Sequence, residues 1–144
     1  MVGFWKGVKL FYVRAFDFQG RSTRAEFWWS VLYQILYFFV PLIFIGLIGA
    51  QSQGLSGSVA QIANMTAGVI SLLWIVGHII HIIPGIAVSV RRLHDTDRSG
   101  WMYLISLLPL CIFFLIAFYC TDGTIGDNLY GPDPTGRGTA DIFN

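Results

Sequence analysis

The chain has 144 residues, of which 55% are hydrophobic and 16% aromatic, and a formal net charge of +1 at pH 7. A mean hydropathy of +0.64 exceeds what a water-soluble domain of this size can hide, and so small a net charge offers nucleic acid no electrostatic footprint. No Asp, Glu, Lys or Arg stands between Glu26 and Arg91, and a hydrocarbon core about 30 Å thick is crossed by roughly 20 apolar residues, so the expected fold is a single all-α integral membrane domain.

The N-terminal stretch, residues 1–20, has no uninterrupted apolar run and no small-residue cleavage site, which sets it apart from a signal peptide. Wound as a helix, it places Phe4, Val8, Phe11 and Ala15 on one face, with Trp5 and Tyr12 beside them and Lys6 opposite. That pattern fits an amphipathic helix lying in the membrane interface, and periodicity alone fits equally well a face packed against the spans.

The first span runs from residue 27 to 49, where Pro41 is expected to kink the helix rather than end it, because a neighbouring helix can satisfy the freed carbonyl. Residues 50–64, rich in Gln, Ser and Gly, predict a connection outside the hydrocarbon. A second span over 66–90 contains Pro84 and Gly85, and too few residues follow Pro84 to favour a separate re-entrant piece. A third span is predicted over 101–120, and residues 121–144 form a Gly/Pro-rich tail. The architecture expected is therefore about three transmembrane helices plus an N-terminal amphipathic interfacial helix.

Lys6, Lys9, Arg14, Arg21 and Arg24 precede the first span, the first connection has no basic residue, and Arg91, Arg92 and Arg98 follow the second span. This bias places the N-terminus in the cytoplasm. Three spans then carry the tail outward, a conclusion that a re-entrant segment would reverse.

Three stretches point further: FDFQGRSTRAEFWW (16–29) before the first span, RRLHDTDRSGW (91–101) between later spans, and DGTIGDNLYGPDP (122–134) after the last. In order and spacing they resemble the small bacterial inner-membrane family known as domain of unknown function 805. The resemblance implies a multi-pass protein of the bacterial inner (plasma) membrane and implies no activity. Asp97 stands where the family usually has a small residue. Leu129 stands where it usually has Arg or Lys, which argues against an anion site in the tail.

Arg91 and Arg92 suffice as a topological anchor, but an anchor has no use for the acids interleaved with them. With helix continuing past Val90, Arg91 and Asp95 fall at i,i+4 and can pair, with His94 one position aside. Arg21, Arg24 and Glu26 lie on the same side as Arg91, Arg92, Asp97 and Arg98, so a network of arginines and carboxylates is expected at the cytoplasmic interface. Such a network either locks helix ends together or leaves guanidinium donors for a phosphate or anionic lipid. Ser99 is the expected N-cap of the third span. In the tail, Gly126, Asp127, Asn128, Tyr130, Gly131, Pro132, Asp133 and Pro134 predict tight turns in an ordered cap. A calcium loop from Asp122, Asp127, Asn128 and Asp133 lacks EF-hand spacing.

His78 and His81, i and i+3 within the second span, read as hydrogen-bonding glue between helices or, less economically, as a proton relay or metal site. His94-Asp95 lacks the further ligands that a catalytic metal site needs, and Cys111 and Cys120 lie about 13 Å apart along one helix, too far to pair. No catalytic residue, metal or cofactor is expected. The function expected is a non-enzymatic binding or accessory protein whose partners are membrane lipids, anionic ones included, and a second copy or another membrane protein. The alternative is a small transporter or channel component using His78 and His81.

Overall fold

The computed structural model describes residues 2–137, which are helical with no strand among them. In chain order they form α1 (Phe4–Val13), α2 (Arg24–Ser52), α3 (Gly57–Asp95), two 3₁₀ segments (Gly100–Leu107 and Pro109–Cys111) and α4 (Ile112–Cys120). Contacts divide the chain into two compact units, one holding residues up to Val31 and from Ile83 onward, the other Leu32–Ile82.

α2 and α3, of 29 and 39 residues, are the helices among the described residues long and apolar enough to cross a membrane. Thr23 starts α2: its Oγ1 accepts from Glu26 N at 3.1 Å and its carbonyl from Phe27 N at 3.1 Å. Both helices run through their prolines. At Pro41 the carbonyl left without a donor is that of Tyr37, and Trp74 Nε1 donates to it at 3.2 Å. The connection expected over 50–64 shrinks to residues 53–56, because α2 continues to Ser52 and α3 begins at Gly57. Ala60, Gln61 and Ala63 have the propensity to extend α3 backwards, and the turn needs only Gly54 and a Gly57 at φ +64°.

Two further expectations are corrected. The helix expected over 1–20 stops at Val13, and residues 14–17 form turns in which Ala15 N and Asp17 N donate to the carbonyls of Tyr12 and Arg14. Residues 101–120 are not one α-helix: Leu108 is extended (φ −96°, ψ 114°) ahead of Pro109, as a residue preceding proline prefers, and α-helix resumes only at Ile112. Ser99 does cap this stretch, accepting from Trp101 N at 3.4 Å.

The first unit is built around Phe11, Phe27, Ala87, Val88, Leu93, Leu115 and Tyr119, all buried, and with them the fully buried side chains of Arg91 and Arg92. α1 turns Phe11 inward, Ala15 is buried in the turn that follows, and Gly7 of α1 lies so close to Trp29 that an added Cβ would stand 2.7 Å from that residue's Cβ. Trp5, Tyr12, Val13 and Phe16 remain exposed. α1 thus packs one face as core and leaves aromatic rings exposed on another.

The tail closes on this same unit. Thr124 N donates to the Asp95 carbonyl at 2.9 Å and Asn128 Nδ2 to that of His94 at 2.9 Å. The tail therefore packs beside residues 14–26 and 91–98.

Candidate functional site: a buried arginine and carboxylate cluster

The end of α3 delivers Arg91, Arg92, His94 and Asp95 into the first unit, and the approach to α2 delivers Arg21, Ser22 and Glu26 against them. All seven are buried. The cluster has two halves.

In the first half Asp95 is held between two arginines. Arg21 Nε donates to its Oδ1 at 2.9 Å, and Arg92 Nη1 donates to its Oδ2. The remaining nitrogens go to backbone carbonyls: Arg21 Nη1 to Gly126 at 2.6 Å and Gly131 at 3.4 Å, Arg21 Nη2 to Thr124 at 2.5 Å, Arg92 Nε to Tyr119 at 3.2 Å and Arg92 Nη2 to Thr121. The tail is shaped to present them. Asn128 and Gly131 exchange backbone hydrogen bonds across a tight turn, Asn128 Oδ1 accepts from Tyr130 N at 2.9 Å, and the Tyr130 ring stacks on His94 at 3.9 Å between centroids and 5° between planes.

In the second half Arg91 Nη2 donates to Glu26 Oε1 at 3.3 Å, and the Ser22 hydroxyl bridges them, accepting from Arg91 Nε at 3.1 Å and donating to Glu26 Oε1 at 2.8 Å. Arg91 Nη1 donates to the carbonyls of Arg14 and Asp17 at 2.8 and 2.5 Å. Arg14 adds a second cation 3.7 Å from Glu26 and pairs with Asp17 at 2.9 Å. Every guanidinium nitrogen of Arg21, Arg91 and Arg92 thus donates to an oxygen of the chain itself.

The electrostatics follow from this burial. Burial pulls the guanidinium pKa of Arg91 down, reinforced by Arg14 and opposed by Glu26, and that of Arg92 down, opposed by Asp95. Burial likewise pulls His94 below the usual histidine value, against the opposing hydrogen bond to the Gly20 carbonyl. Asp17 falls below the usual carboxylate value; burial opposes the shift, and the hydrogen bonds from Arg14 and Gln19 N outweigh it. Asp133 falls to about 2: burial again opposes, and donors from Thr135 and Gly126 N together with the Arg137 charge prevail.

Several expected residues fall elsewhere. Asp95 pairs with Arg92 at i,i+3 and with Arg21, while Arg91 turns to Glu26, so the predicted Arg91–Asp95 pair is replaced. Arg24 sits at the rim in an exposed 2.7 Å pair with Asp122. Arg98 is outside the network, its guanidinium carbon 3.8 Å above the centre of the Phe118 ring. Asp97 is exposed at φ +57° in the turn after α3, and Asp127 is exposed. Asp133 closes the next turn, accepting from Thr135 N at 2.8 Å, between exposed Pro132 and Pro134. Asp122, Asn128 and Asp133 are each engaged separately, and among the described residues no three His, Cys, Asp or Glu side chains gather as a metal set. Arg14, Asp17 and Ser22 join the cluster without having been singled out, although Arg14 and Asp17 at i,i+3 and Ser22 between two arginines were visible signals.

In the second unit His81 Nδ1 is 2.6 Å from the Gly77 carbonyl, which can only accept, so the ring donates there and its Nε2 meets the Tyr33 hydroxyl at 3.2 Å. The ring also stacks on Tyr37 at 4.2 Å. His78 donates to the Trp74 carbonyl at 3.1 Å and packs edge-on against Trp74 and Phe38. His81 thus hydrogen-bonds across to α2, whereas the hydrogen bond of His78 stays within α3 and only its ring meets α2.

Comparison with known proteins agrees with the membrane reading. The chain is 36% identical over 118 residues to inner membrane protein YhaH of Escherichia coli K12, covering 81% of this chain and 86% of that protein. It is 32% identical over 118 residues to inner membrane protein YhaI of the same strain, covering 81% and 85%. Similarity to the uncharacterized protein YiiR, also of that strain, is 28% over 82% of this chain and 86% of the relative. No solved structure matches. Residues 15–132, which contain both halves of the cluster but for Arg14, match the family model "Protein of unknown function (DUF805)", and with its apolar helices and inner-membrane relatives the chain belongs to that family of bacterial membrane proteins.

Proposed function

We propose that this is a non-enzymatic accessory or binding protein of the bacterial inner membrane, in which the buried cluster is a lock and the surface around it makes the contacts. The observation that carries the reading is the internal engagement of Arg21, Arg91 and Arg92: each guanidinium nitrogen donates to an oxygen of the chain. These guanidinium groups are buried and bonded to the chain at every nitrogen, which keeps them from an external phosphate, whereas removing one partner leaves a buried charge unmatched. The lock ties residues 14–26, the end of α3 and the tail into one platform.

The same bonds favour two crossings, by α2 and α3. The stretch 100–120 begins with Gly100 against Val90 and His94, and ends with the carbonyls of Tyr119 and Cys120 on Arg92 and Arg24. Both ends thus lie beside the cluster, and the exposed Trp101, Leu107, Leu110 and Phe113 between them suit a hairpin dipping into one leaflet. Two crossings put every Lys and Arg, Arg137 included, on the cytoplasmic side with the N-terminus. The transport alternative draws no support from His78 and His81, whose rings are engaged in stacks and backbone bonds.

The test is the double exchange Arg91→Lys with Arg92→Lys. A lysine keeps the charge and loses the planar fork. The expected result in detergent is a lower melting temperature and faster proteolysis of residues 121–131, with anionic lipid retained by the folded fraction as in the parent. Unchanged stability combined with lost lipid would show that these arginines face lipid and are not a lock.

A further inference from the structure

Beside the lock lies a polar cavity of about 540 Å³, lined by Lys6 of α1, Thr23 and Arg24 at the start of α2, and Asp122, Thr135 and Arg137 of the tail. Three elements distant in sequence bring three cations to its wall. Lys6 is exposed. Arg24 donates to the Cys120 carbonyl at 3.2 Å and makes one exposed ion pair, with Asp122, a kind of pair easily exchanged for another anion. Arg137 donates to Thr135 Oγ1 at 2.7 Å and the Gly123 carbonyl at 3.1 Å, and stands 3.4 Å from Asp133. Asp95 also reaches the wall, but Arg21 and Arg92 already match its charge. The amino end of α2 borders the cavity and adds the positive end of its dipole.

We propose that this cavity binds a phosphate group, that of an anionic membrane lipid, with Lys6, Arg24 and Arg137 as its cationic walls. The inference rests on the reading given above and supplies a contact site outside the buried arginines. Three features favour phosphate over carboxylate or a neutral ligand. The cations approach from separate elements, as a tetrahedral anion with several acceptor oxygens requires. The Thr23 and Thr135 hydroxyls stand among them. A helix amino end is a recurrent phosphate position. The lipid source is favoured by the surroundings: Trp5, 81% exposed, adjoins Lys6 in sequence, and Trp28, 40% exposed, follows Arg24 by about one helical turn, and indole rings mark the head-group level. The phosphate displaces Asp122 from Arg24, and no covalent step is involved.

The experiment uses the full chain in detergent, with phosphatidylglycerol retention followed by native mass spectrometry against phosphatidylcholine, and inorganic phosphate assayed in parallel by thermal shift. The variants are Lys6→Gln, the double Arg24→Gln with Arg137→Gln, and Lys9→Gln, an exposed α1 lysine outside the cavity. Phosphatidylglycerol retention should fall roughly tenfold in the first two and stay unchanged in Lys9→Gln. Stabilisation of the parent by inorganic phosphate, lost in the same two variants, would place the same phosphate chemistry on a free ion. If the parent retains phosphatidylglycerol and all three variants do so equally, or if Lys9→Gln loses as much as Lys6→Gln, this site is wrong and the wider reading stands. If the parent neither retains phosphatidylglycerol nor responds to phosphate, both fall. Because Lys6 has no role in the lock, its variant remains informative if the double variant is unstable.

Discussion

Arg21 and Asp95 meet at 2.9 Å across 74 residues of sequence, and Arg92 grips the other oxygen of the same carboxylate. One carboxylate thus serves two buried guanidinium groups from different segments. Asp95→Asn should lower stability by about 3 to 5 kcal/mol, since it leaves two buried cations without a counter-charge. Gly123→Ala reaches the same point from the tail, because its new Cβ would stand 2.1 Å from Asp95 Oδ2. Both should lower the melting temperature in detergent and speed proteolysis of the tail. Parent-like behaviour in both would remove Asp95 from the centre of the lock.

How much of this could be read beforehand depended on distance along the chain. That charge stranded beside long apolar runs must be organised was legible, and Arg21, Glu26, Arg91, Arg92 and Asp95 do meet. The pairing was not, because the i,i+4 rule sees only one helix, whereas Arg91 is drawn by Glu26 and Ser22 from another segment. The early start of α3 was hidden by Gln and Ser, residues that serve either a loop or an exposed helix. The break at Leu108 was legible in Pro109, but a uniformly apolar stretch has no periodicity to contradict a continuous span.

Asp97 is the one described non-glycine residue with positive φ, at +57°, in the turn that ends α3. Left-handed backbone strains a residue bearing a Cβ, although Asp tolerates it better than most. Asp97→Gly should raise stability by up to about 1 kcal/mol, and Asp97→Val should lower it. Thermal unfolding of the two variants at pH 7 checks the ordering; a Val variant as stable as the Gly variant would contradict it.

His94 makes stability depend on pH. Burial holds its folded pKa below the ordinary 6.5, so the folded state disfavours the charged ring. Its contribution is therefore complete above pH 6.5 and is lost as pH falls through the lower folded value. Melting temperature should drop on acidification below 6.5, and His94→Gln should flatten part of that drop. An identical acid profile in parent and variant would exclude His94 as its source.

The proposal of two crossings puts the exposed Gln19 and the 88% exposed Leu129 in one compartment and Ser56, in the turn between α2 and α3, in the other. In a background with Cys111 and Cys120 replaced by serine, cysteines at the three positions can be probed with an impermeant thiol reagent. Labelling from outside intact cells is expected at Ser56 only. Labelling at Leu129 without Gln19 would restore an odd number of crossings.

The tail's place in the lock also has a meaning in time. A ribosome delivers residues 14–26 first and 91–95 much later, and the carbonyls that complete Arg21 and Arg92 come later still, from residues 119 to 131. Until they emerge, two arginines at the membrane surface hold unmatched donors and must stay hydrated, so the apolar residues around them cannot close. Assembly is thereby made to wait for the last motif. A chain interrupted before residue 131 lacks the last of these carbonyls and leaves the arginines open to water.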